Sequence, residues 1–334
     1  MNFLITGGAG FIGLNFVRFL KSKKAETDEV IVYDNLTYAA SAGSLRVLKT
    51  LGIKLVKGDI GDKKAFSATL KKYKIGKVIN FAAQTHVDRS ILSPDIFFET
   101  NLLGTVKMLD VLIDYPEIHF HHISTDEVFG NAPAGKKFNE KSRYNAGSPY
   151  AASKVAAEQA VFAYIKTFGL KATVSIASNN FGPYCHPEKL IPLTVTRALL
   201  NEPIPVYGNG LQKRDWIHVD DHCTGIWRVI TRGRQGESYI LSSGRMMTNL
   251  ELMKKILKIM NKPESLLKHV SDRKGHDLIY SADNSKAVKE LGFKINKPVK
   301  THLKKVIDWY LNNREWWQGL KKSADSISEG YLNK

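Results

Sequence analysis

Only two of the 334 residues are cysteine, Cys185 and Cys223, and they form neither a C-x-x-C pair nor any metal-ligand spacing. That excludes a disulfide scaffold and a thiolate metal site, and it fits a reducing compartment. No apolar run approaches the ~18 residues of a membrane span. The chain opens on strand-like Met1-Asn2-Phe3-Leu4-Ile5 without a basic and apolar leader, so an unprocessed, soluble, cytoplasmic protein is expected. Internal repeats and low-complexity tracts are missing too, which excludes a repeat array. Acidic residues are the scarcer charge, 32 against 49 basic ones, for a formal net charge of +17. Such an excess attracts polyanions. Yet the lysines are spread over many segments, such as Lys71-Lys72-Lys74 and Lys254-Lys255-Lys258, and none is interleaved with aromatics as in a nucleic-acid motif. The reading is a solvated lysine-rich surface that helps draw in an anionic small molecule, with no metal and neither nucleic acid nor membrane as partner.

What is present is an α/β pattern. Short β-like runs at 2–6, 29–34, 53–57, 77–81, 119–124 and 173–177 alternate with helical stretches at 11–22, 63–72, 101–114 and 150–168. Strands of this kind, apolar on both faces, predict a doubly wound parallel sheet of the Rossmann type. After residue 177 prolines cluster (Pro183, Pro187, Pro192, Pro203, Pro205) and the alternation breaks down. The pattern predicts a dinucleotide-binding domain over 1–176, with 217–242 returning to it. A smaller C-terminal substrate-binding domain takes 177–216 and 243–334, with helices at 250–260 and 299–312. The polar tail after Trp317 is expected to be loosely held.

Thr6-Gly7-Gly8-Ala9-Gly10-Phe11-Ile12-Gly13 follows the first strand and opens the first helix. Glycines there allow a tight turn, and phosphates can settle on the free N–H groups of the helix N-terminus. Asp34 ends the second strand, where a carboxylate accepts from ribose hydroxyls and repels a 2′-phosphate, so NAD is expected over NADP. Asp59 and Ile60 follow the third strand near the adenine. Phe81, Ala82 and Ala83 follow the fourth, with side chains small enough for a cofactor to lie close.

Tyr150 and Lys154 are four apart and share a helix face. An ammonium and a positive nicotinamide ring nearby would lower the phenol toward neutrality and make it a base. Thr125, Asp126 and Glu127 end the fifth strand, at the edge where such a sheet presents its site. Two adjacent carboxylates in a confined pocket favour one protonated and one ionised, an acid beside a base. Alcohol oxidation alone needs neither, so the triplet points to elimination of water. His86, Asp88 and Arg89 form a polar rim.

On these segments the chain resembles the extended short-chain dehydrogenase/reductases, most closely their dTDP-glucose 4,6-dehydratase family. The resemblance continues through Ala82–Ser90, Ser148–Lys154, Asn179–Tyr184, Pro187–Pro192, Tyr207–Gly210, Arg214–Trp216 and Asp272–Asp277. It implies that Tyr150 takes the C4 hydroxyl proton with Thr125 on that oxygen, while C4 is oxidised by a tightly held NAD. Glu127 then removes the C5 proton, Asp126 protonates the departing C6 hydroxyl, and hydride returns to C6. The resemblance adds Asn35, Leu36, Thr37, Thr85 and Thr100 to the cofactor site, beside Tyr150 and Lys154. It assigns Thr85, His86, Thr125, Asn180, Lys189, Leu190, Arg214, Asn249, Arg273 and His276 to the nucleotide sugar, with Arg suited to bidentate phosphate contacts.

Gln84 replaces the family's usual glutamate, Phe129 and Phe181 replace tyrosines, and Ala40-Ser41-Ala42-Gly43 departs from an Ala-Gly-Asn pattern. Leu278-Ile279 stands where the family carries two arginines, so the nucleotide base stays open among dTDP, UDP and CDP. A UDP- or CDP-sugar dehydratase, or an epimerase or decarboxylase of the same family, is the alternative. Apolar residues recur at helical spacing on 101–114 (Leu102, Val106, Leu109, Ile113) and 150–168 (Val155, Val161, Ile165). They fit either core packing or, as the resemblance implies, the four-helix interface of a homodimer.

Overall fold

A computed structural model describes residues 1–23 and 29–332. The strands, in chain order, are β1 (Asn2–Thr6), β2 (Val30–Asp34), β3 (Lys54–Lys57), β4 (Ile75–Asn80), β5 (His119–Thr125) and β6 (Ala172–Ala177). They continue as β7 (Asn179–Phe181), β8 (Ile204–Tyr207), β9 (Lys213–His218), β10 (Ser238–Leu241), β11 (Met246–Thr248) and β12 (Leu267–Val270). Seven of them form one parallel sheet in the order β10-β6-β5-β4-β1-β2-β3. The order reverses direction beside β1, so the loops after β1 and β4 part there and open a crevice at the C-terminal edge. Val30–Tyr33 of β2 and all of β6 are fully buried, as strands covered on both faces must be. At the edge, β3 departs from that pattern: Lys54, Leu55 and Lys57 are exposed, and lysines on an edge strand hinder pairing with another chain.

The helix Phe11–Ser22 packs on Val219–Arg232, which leads into β10 and so carries the chain back into the large sheet after β9. Ser148 caps the helix Pro149–Phe168 by accepting from Ala151 N, Pro149 sets its first turn, and Gly169 in left-handed geometry ends it. The stretch expected as one helix from Asn101 starts earlier, at Asp95, after a separate short helix Val87–Leu92, and carries a wide π-helical turn over Phe98–Gly104. Asn101 lies inside that turn, where its amide exchanges hydrogen bonds with the Gln84 backbone and reaches Ser153 Oγ at 2.9 Å.

The smaller lobe joins β11-β9-β7 and the pair β12-β8 to the helices Leu190–Leu200, Asn249–Ile259 and Val299–Asn312. Its core includes Phe181, Trp216, Leu252, Ile307, Tyr310 and Trp317. As far as Asp325 the tail is docked rather than loosely held. A helix runs over Arg314–Leu332, Trp317 is fully buried and donates to Tyr310 O, and Arg197 pairs with Asp325 at 2.8 Å. Hydropathy misled here because the docking residues are few and spaced around a polar helix.

Candidate active site

One continuous cleft runs from the glycine loop, past the ends of β5 and β6, into the smaller lobe. Its cofactor wall is backbone. Gly7 has φ +66°, and a Cβ on it would lie 2.6 Å from Ala82 N. A Cβ on Gly13 would lie 2.3 Å from Gly7 O, so the helix can start this close to the turn only with glycine there. No side chain caps that helix, and Gly10, Phe11, Ile12 and Gly13 line the cleft at its N-terminus. This is a cradle for an anionic pyrophosphate. Asp34 is fixed by Ala9 N at 2.9 Å and Leu36 N at 2.8 Å. Burial raises its carboxyl and the two donors oppose that. The residues present therefore fit a dinucleotide such as NAD. Thr37, Phe81, Ala83 and Thr85 also line the cleft, whereas Asp34, Asn35, Leu36, Asp59, Ile60, Ala82 and Thr100 are not among its lining residues. Asn35 instead donates to Asp59 at 2.6 Å, and Ile60 packs against Gly104.

Past the nicotinamide end of this cradle come Thr125, Asp126 and Glu127, with Tyr150 and Lys154 on the facing helix. Tyr150 stands near the Thr125 side chain, which acts to lower its phenol. Burial, then the charge of Glu127, pushes its phenol up rather than down. The expected lowering by Lys154 does not come from the chain itself. Lys154 Nζ donates to Ile123 O at 2.6 Å and lies 3.1 Å from His122 Nε2, and burial pulls it down to about 8 against Glu158. The two carboxylates divide. Asp126 is 3% exposed, its Oδ2 has no hydrogen-bond partner, and burial, Glu127 and Asp215 hold it well above its ordinary value. Glu127 is also raised by burial, but Arg214, Arg273 and Lys189 act against that. Three cations bear on Glu127 and only Arg214 on Asp126. Burial thus favours the neutral form more strongly at Asp126 than at Glu127, where more cations oppose it.

The substrate wall is made of side chains. Lys189 precedes the helix Leu190–Leu200 and donates to Thr85 O at 2.8 Å. Arg214 lies 4.0 Å over the Tyr280 ring and donates to the carbonyls of Lys213, Asp277 and Leu278. Arg273 grips Asp88 with two bonds, at 2.6 and 2.8 Å. His276 lies 2.6 Å from Asp272 and is lowered to about 4, chiefly by burial. Asn180 is oriented by His222 at 2.9 Å, and Asn249 offers a buried Oδ1 without a partner. Leu278 has the opposite fate. Its side chain is 53% exposed, and neither it nor Ile279 lines the cleft. Position 278 contributes its carbonyl, which accepts from Arg214 at 3.3 Å.

Several residues of the site escaped sequence reasoning. Tyr280 donates to Asp277 at 3.0 Å and reaches Glu127 at 3.4 Å. Glu188 is buried, with its Oε2 standing 3.6, 3.8 and 4.0 Å from His186, Arg89 and His86. Burial holds both histidines below their ordinary value, His186 at about 3. Tyr38 completes this cluster, donating to Glu188 at 3.3 Å beneath the Arg89 guanidinium. The Pro-Glu-Lys run at 187–189 was the available signal for Glu188, and nothing local pointed to Tyr38 or Tyr280.

Known proteins match this arrangement over nearly its whole length. The family model described as GDP-mannose 4,6 dehydratase matches residues 4–306. The dTDP-glucose 4,6-dehydratase of Mycolicibacterium smegmatis is 40% identical over 329 residues, covering 98% of each chain. The one from Xanthomonas campestris strain B100 is 41% identical and covers 95% of each. A crystal structure of the Streptomyces venezuelae dTDP-glucose 4,6-dehydratase, solved with NAD bound, superposes with a TM-score of 0.92 at 42% identity. It covers 96% of this chain and 100% of that one. With its glycine cradle, its acid–base pair and its Tyr–Lys helix in one cleft, the chain belongs to the dTDP-glucose 4,6-dehydratase family.

Proposed function

We propose that this chain dehydrates dTDP-glucose to the 4-keto-6-deoxy sugar, with NAD as a resident cofactor held by Gly7–Gly13 and Asp34. The observation that carries the reading is the split pair: a buried, unpartnered Asp126 carboxyl beside a Glu127 that faces three cations. The chemistry NAD supplies when bound is reversible hydride acceptance, from C4 and back to C6. Tyr150 takes the C4 hydroxyl proton while Thr125 holds that oxygen. The C4 ketone acidifies the C5–H bond, Glu127 removes that proton, and Asp126 protonates the C6 hydroxyl so that it leaves as water. Lys189, Arg214 and Arg273 meet the nucleotide diphosphate. Asn249, with its free Oδ1, is an acceptor for a ligand N–H.

Incubation with dTDP-glucose and UDP-glucose separately, followed by mass analysis, tests this. A product lighter by one water from dTDP-glucose is expected. Absence of that product, or a UDP-4-epimer instead, overturns the reading. Asp126→Asn should slow loss of water while C4 oxidation stays measurable, and elimination at the parent rate would reject the acid assignment.

The same reading includes a homodimer in a reducing cytoplasm. Leu109 and Val161 are fully buried and belong to the core, so they do not serve an interface. Leu92 is 76% exposed and Leu103 50%, on the segment that packs beside the helix Pro149–Phe168, and a second copy would cover them. Among the described residues no helix is long and apolar enough to cross a membrane. A monomeric mass in sedimentation would reject the dimer.

A further inference from the structure

We propose that segment 182–189 is a strap across the dinucleotide cradle, and that the Tyr38–Glu188 hydrogen bond is the latch that opens to pass the cofactor. The proposal rests on the reading of NAD as a resident cofactor and concerns how it is kept. The strap follows β7 in the smaller lobe and leads into the helix Leu190–Leu200. Three of its ties run to the dinucleotide-binding part of the chain.

At one end, Asn15 of the helix Phe11–Ser22 donates to Pro183 O at 3.0 Å, and the Arg18 guanidinium lies 5.0 Å over the Tyr184 ring. Tyr184 has φ +67°, a left-handed conformation that a non-glycine residue keeps only where its surroundings hold it. Trp309 and Trp316 pack edge-on to the same ring, at 4.7 and 5.9 Å. At the other end, Lys189 donates to Thr85 O in the loop after β4. Between them Tyr38, in the loop after β2, donates to Glu188 at 3.3 Å and meets the His186 ring edge-on at 5.6 Å. In the sheet β1 lies between β4 and β2, so the glycine turn after β1 lies between the two tied loops. A segment fastened to both loops and to the helix behind the turn crosses the cleft in front of the cradle. Tyr184, His186 and Glu188 accordingly line the same cleft as Gly10 and Phe11.

The Tyr38 tie is the one that can open cheaply. Tyr38 sits in a turn outside any strand or helix, so rotating its side chain breaks one hydrogen bond and no ladder. Burial, then the Glu188 charge, holds its phenol above the ordinary value, so it keeps its proton and donates. Arg89 backs both partners, lying 3.9 Å over the Tyr38 ring with its Nε 3.8 Å from Glu188 Oε2. Every member of the latch is a residue of the chain, so its strength is the same before and after the cofactor enters. Weakening it therefore lowers the barrier to entry and to exit alike and leaves affinity nearly unchanged. Loss of an ordinary cofactor contact instead speeds exit alone and weakens affinity in step.

Exchange of bound NAD for isotopically labelled NAD in the purified holoenzyme gives the exit rate, and NAD retained at equilibrium after dilution gives Kd. Their ratio gives the entry rate. Tyr38→Phe should speed exchange roughly threefold to tenfold, the worth of one hydrogen bond, with Kd kept within about twofold. Exchange at the parent rate overturns the proposal, as does a Kd that weakens in step with exchange. Glu188→Gln keeps an oxygen that accepts from Tyr38 and should exchange NAD more slowly than Tyr38→Phe. Exchange as fast as in Tyr38→Phe would give the closure to the Arg89–Glu188 charge pair and overturn the latch. The NAD content of the parent protein is read first. A chain that carries none rejects the functional reading, whereas one that carries NAD and is indifferent to Tyr38→Phe rejects the strap alone.

Discussion

On the cofactor side the cleft is walled by backbone: Gly7 and Gly13 lie six residues apart, and their constraint is the absence of a Cβ. On the substrate side it is walled by side chains gathered from afar. Arg273 finds Asp88 across 185 residues of sequence, Tyr280 reaches Glu127 across 153, and Lys189 reaches Thr85 across 104. The first wall is local and rigid, and its chemistry is a shape. The second is assembled by folding and can be altered one charge at a time. Substitutions on the two sides should therefore fail in different ways.

The largest effect belongs to the assembled side. Glu127→Gln removes the base without changing the outline of the site, and kcat for dehydration should fall about 10²–10⁴-fold. NAD retention should be unchanged, which absorbance of the purified protein checks. Loss of NAD with activity would mean that the two walls are not separable.

Next comes the buried ion pair. Asp88→Ala strands the Arg273 guanidinium, and breaking such a pair costs about 3–5 kcal/mol. Urea unfolding should show that loss. Replacing both partners, Asp88→Leu with Arg273→Met, should recover most of the stability but not the affinity for dTDP-glucose. If the double variant binds substrate like the parent, Arg273 serves the fold and not the ligand.

Gly7→Ala probes the other wall. The added methyl meets Ala82 N in a φ that L residues rarely adopt. Displacing the cradle by an ångström should weaken NAD retention by about 10²-fold while leaving nucleotide binding to the smaller lobe intact. Paired isotherms for NAD and dTDP would show whether the damage stays on its own side.

The same contrast governs what was legible in the sequence. The cradle, Asp34, the Tyr150–Lys154 face and the Thr125–Glu127 triplet are each set within a few residues, so spacing alone brought them forward. The pairing of an acid and a base at Asp126 and Glu127 was legible as chemistry, while its direction came only from the family resemblance. It depends on Arg214, Arg273 and Lys189 from three separate segments. The surroundings of Tyr150 depend on the fold in a related way. Spacing predicted a lysine nearby, while folding gave that lysine to His122 and Ile123. The tail after Trp317 was misread because a few buried contacts, with Arg197 and Tyr310 among them, outweigh its average polarity.

A smaller effect is one of pH. Burial raises Asp126 above its ordinary 3.8, so the folded state keeps a proton that the unfolded chain has released. Its contribution to stability is complete below that value and declines as pH rises toward the folded one. Asp126→Asn cannot lose this proton. Its melting temperature should fall less than the parent's as pH rises above about 4. A parallel fall in both proteins would show that Asp126 ionises freely in the fold.

The smallest expected change sharpens the comparison most. Leu278→Arg would restore a charge at a position where the family carries arginine, beside the residues that meet the diphosphate. If that position worked through its side chain, KM for dTDP-glucose should drop and salt should weaken the gain. The Leu278 side chain is more than half exposed, while its carbonyl accepts from Arg214 and its N–H donates to Asn131 at 3.0 Å. A new arginine can leave both backbone bonds in place and extend into solvent. The change in binding should therefore stay within about 0.5 kcal/mol, roughly twofold in KM. Asn131→Ala should do more, because it frees two consecutive N–H groups, of Leu278 and Ile279, and loosens the loop that holds Arg214. A larger effect from Leu278→Arg than from Asn131→Ala would place the side chain, not the backbone, on the substrate wall.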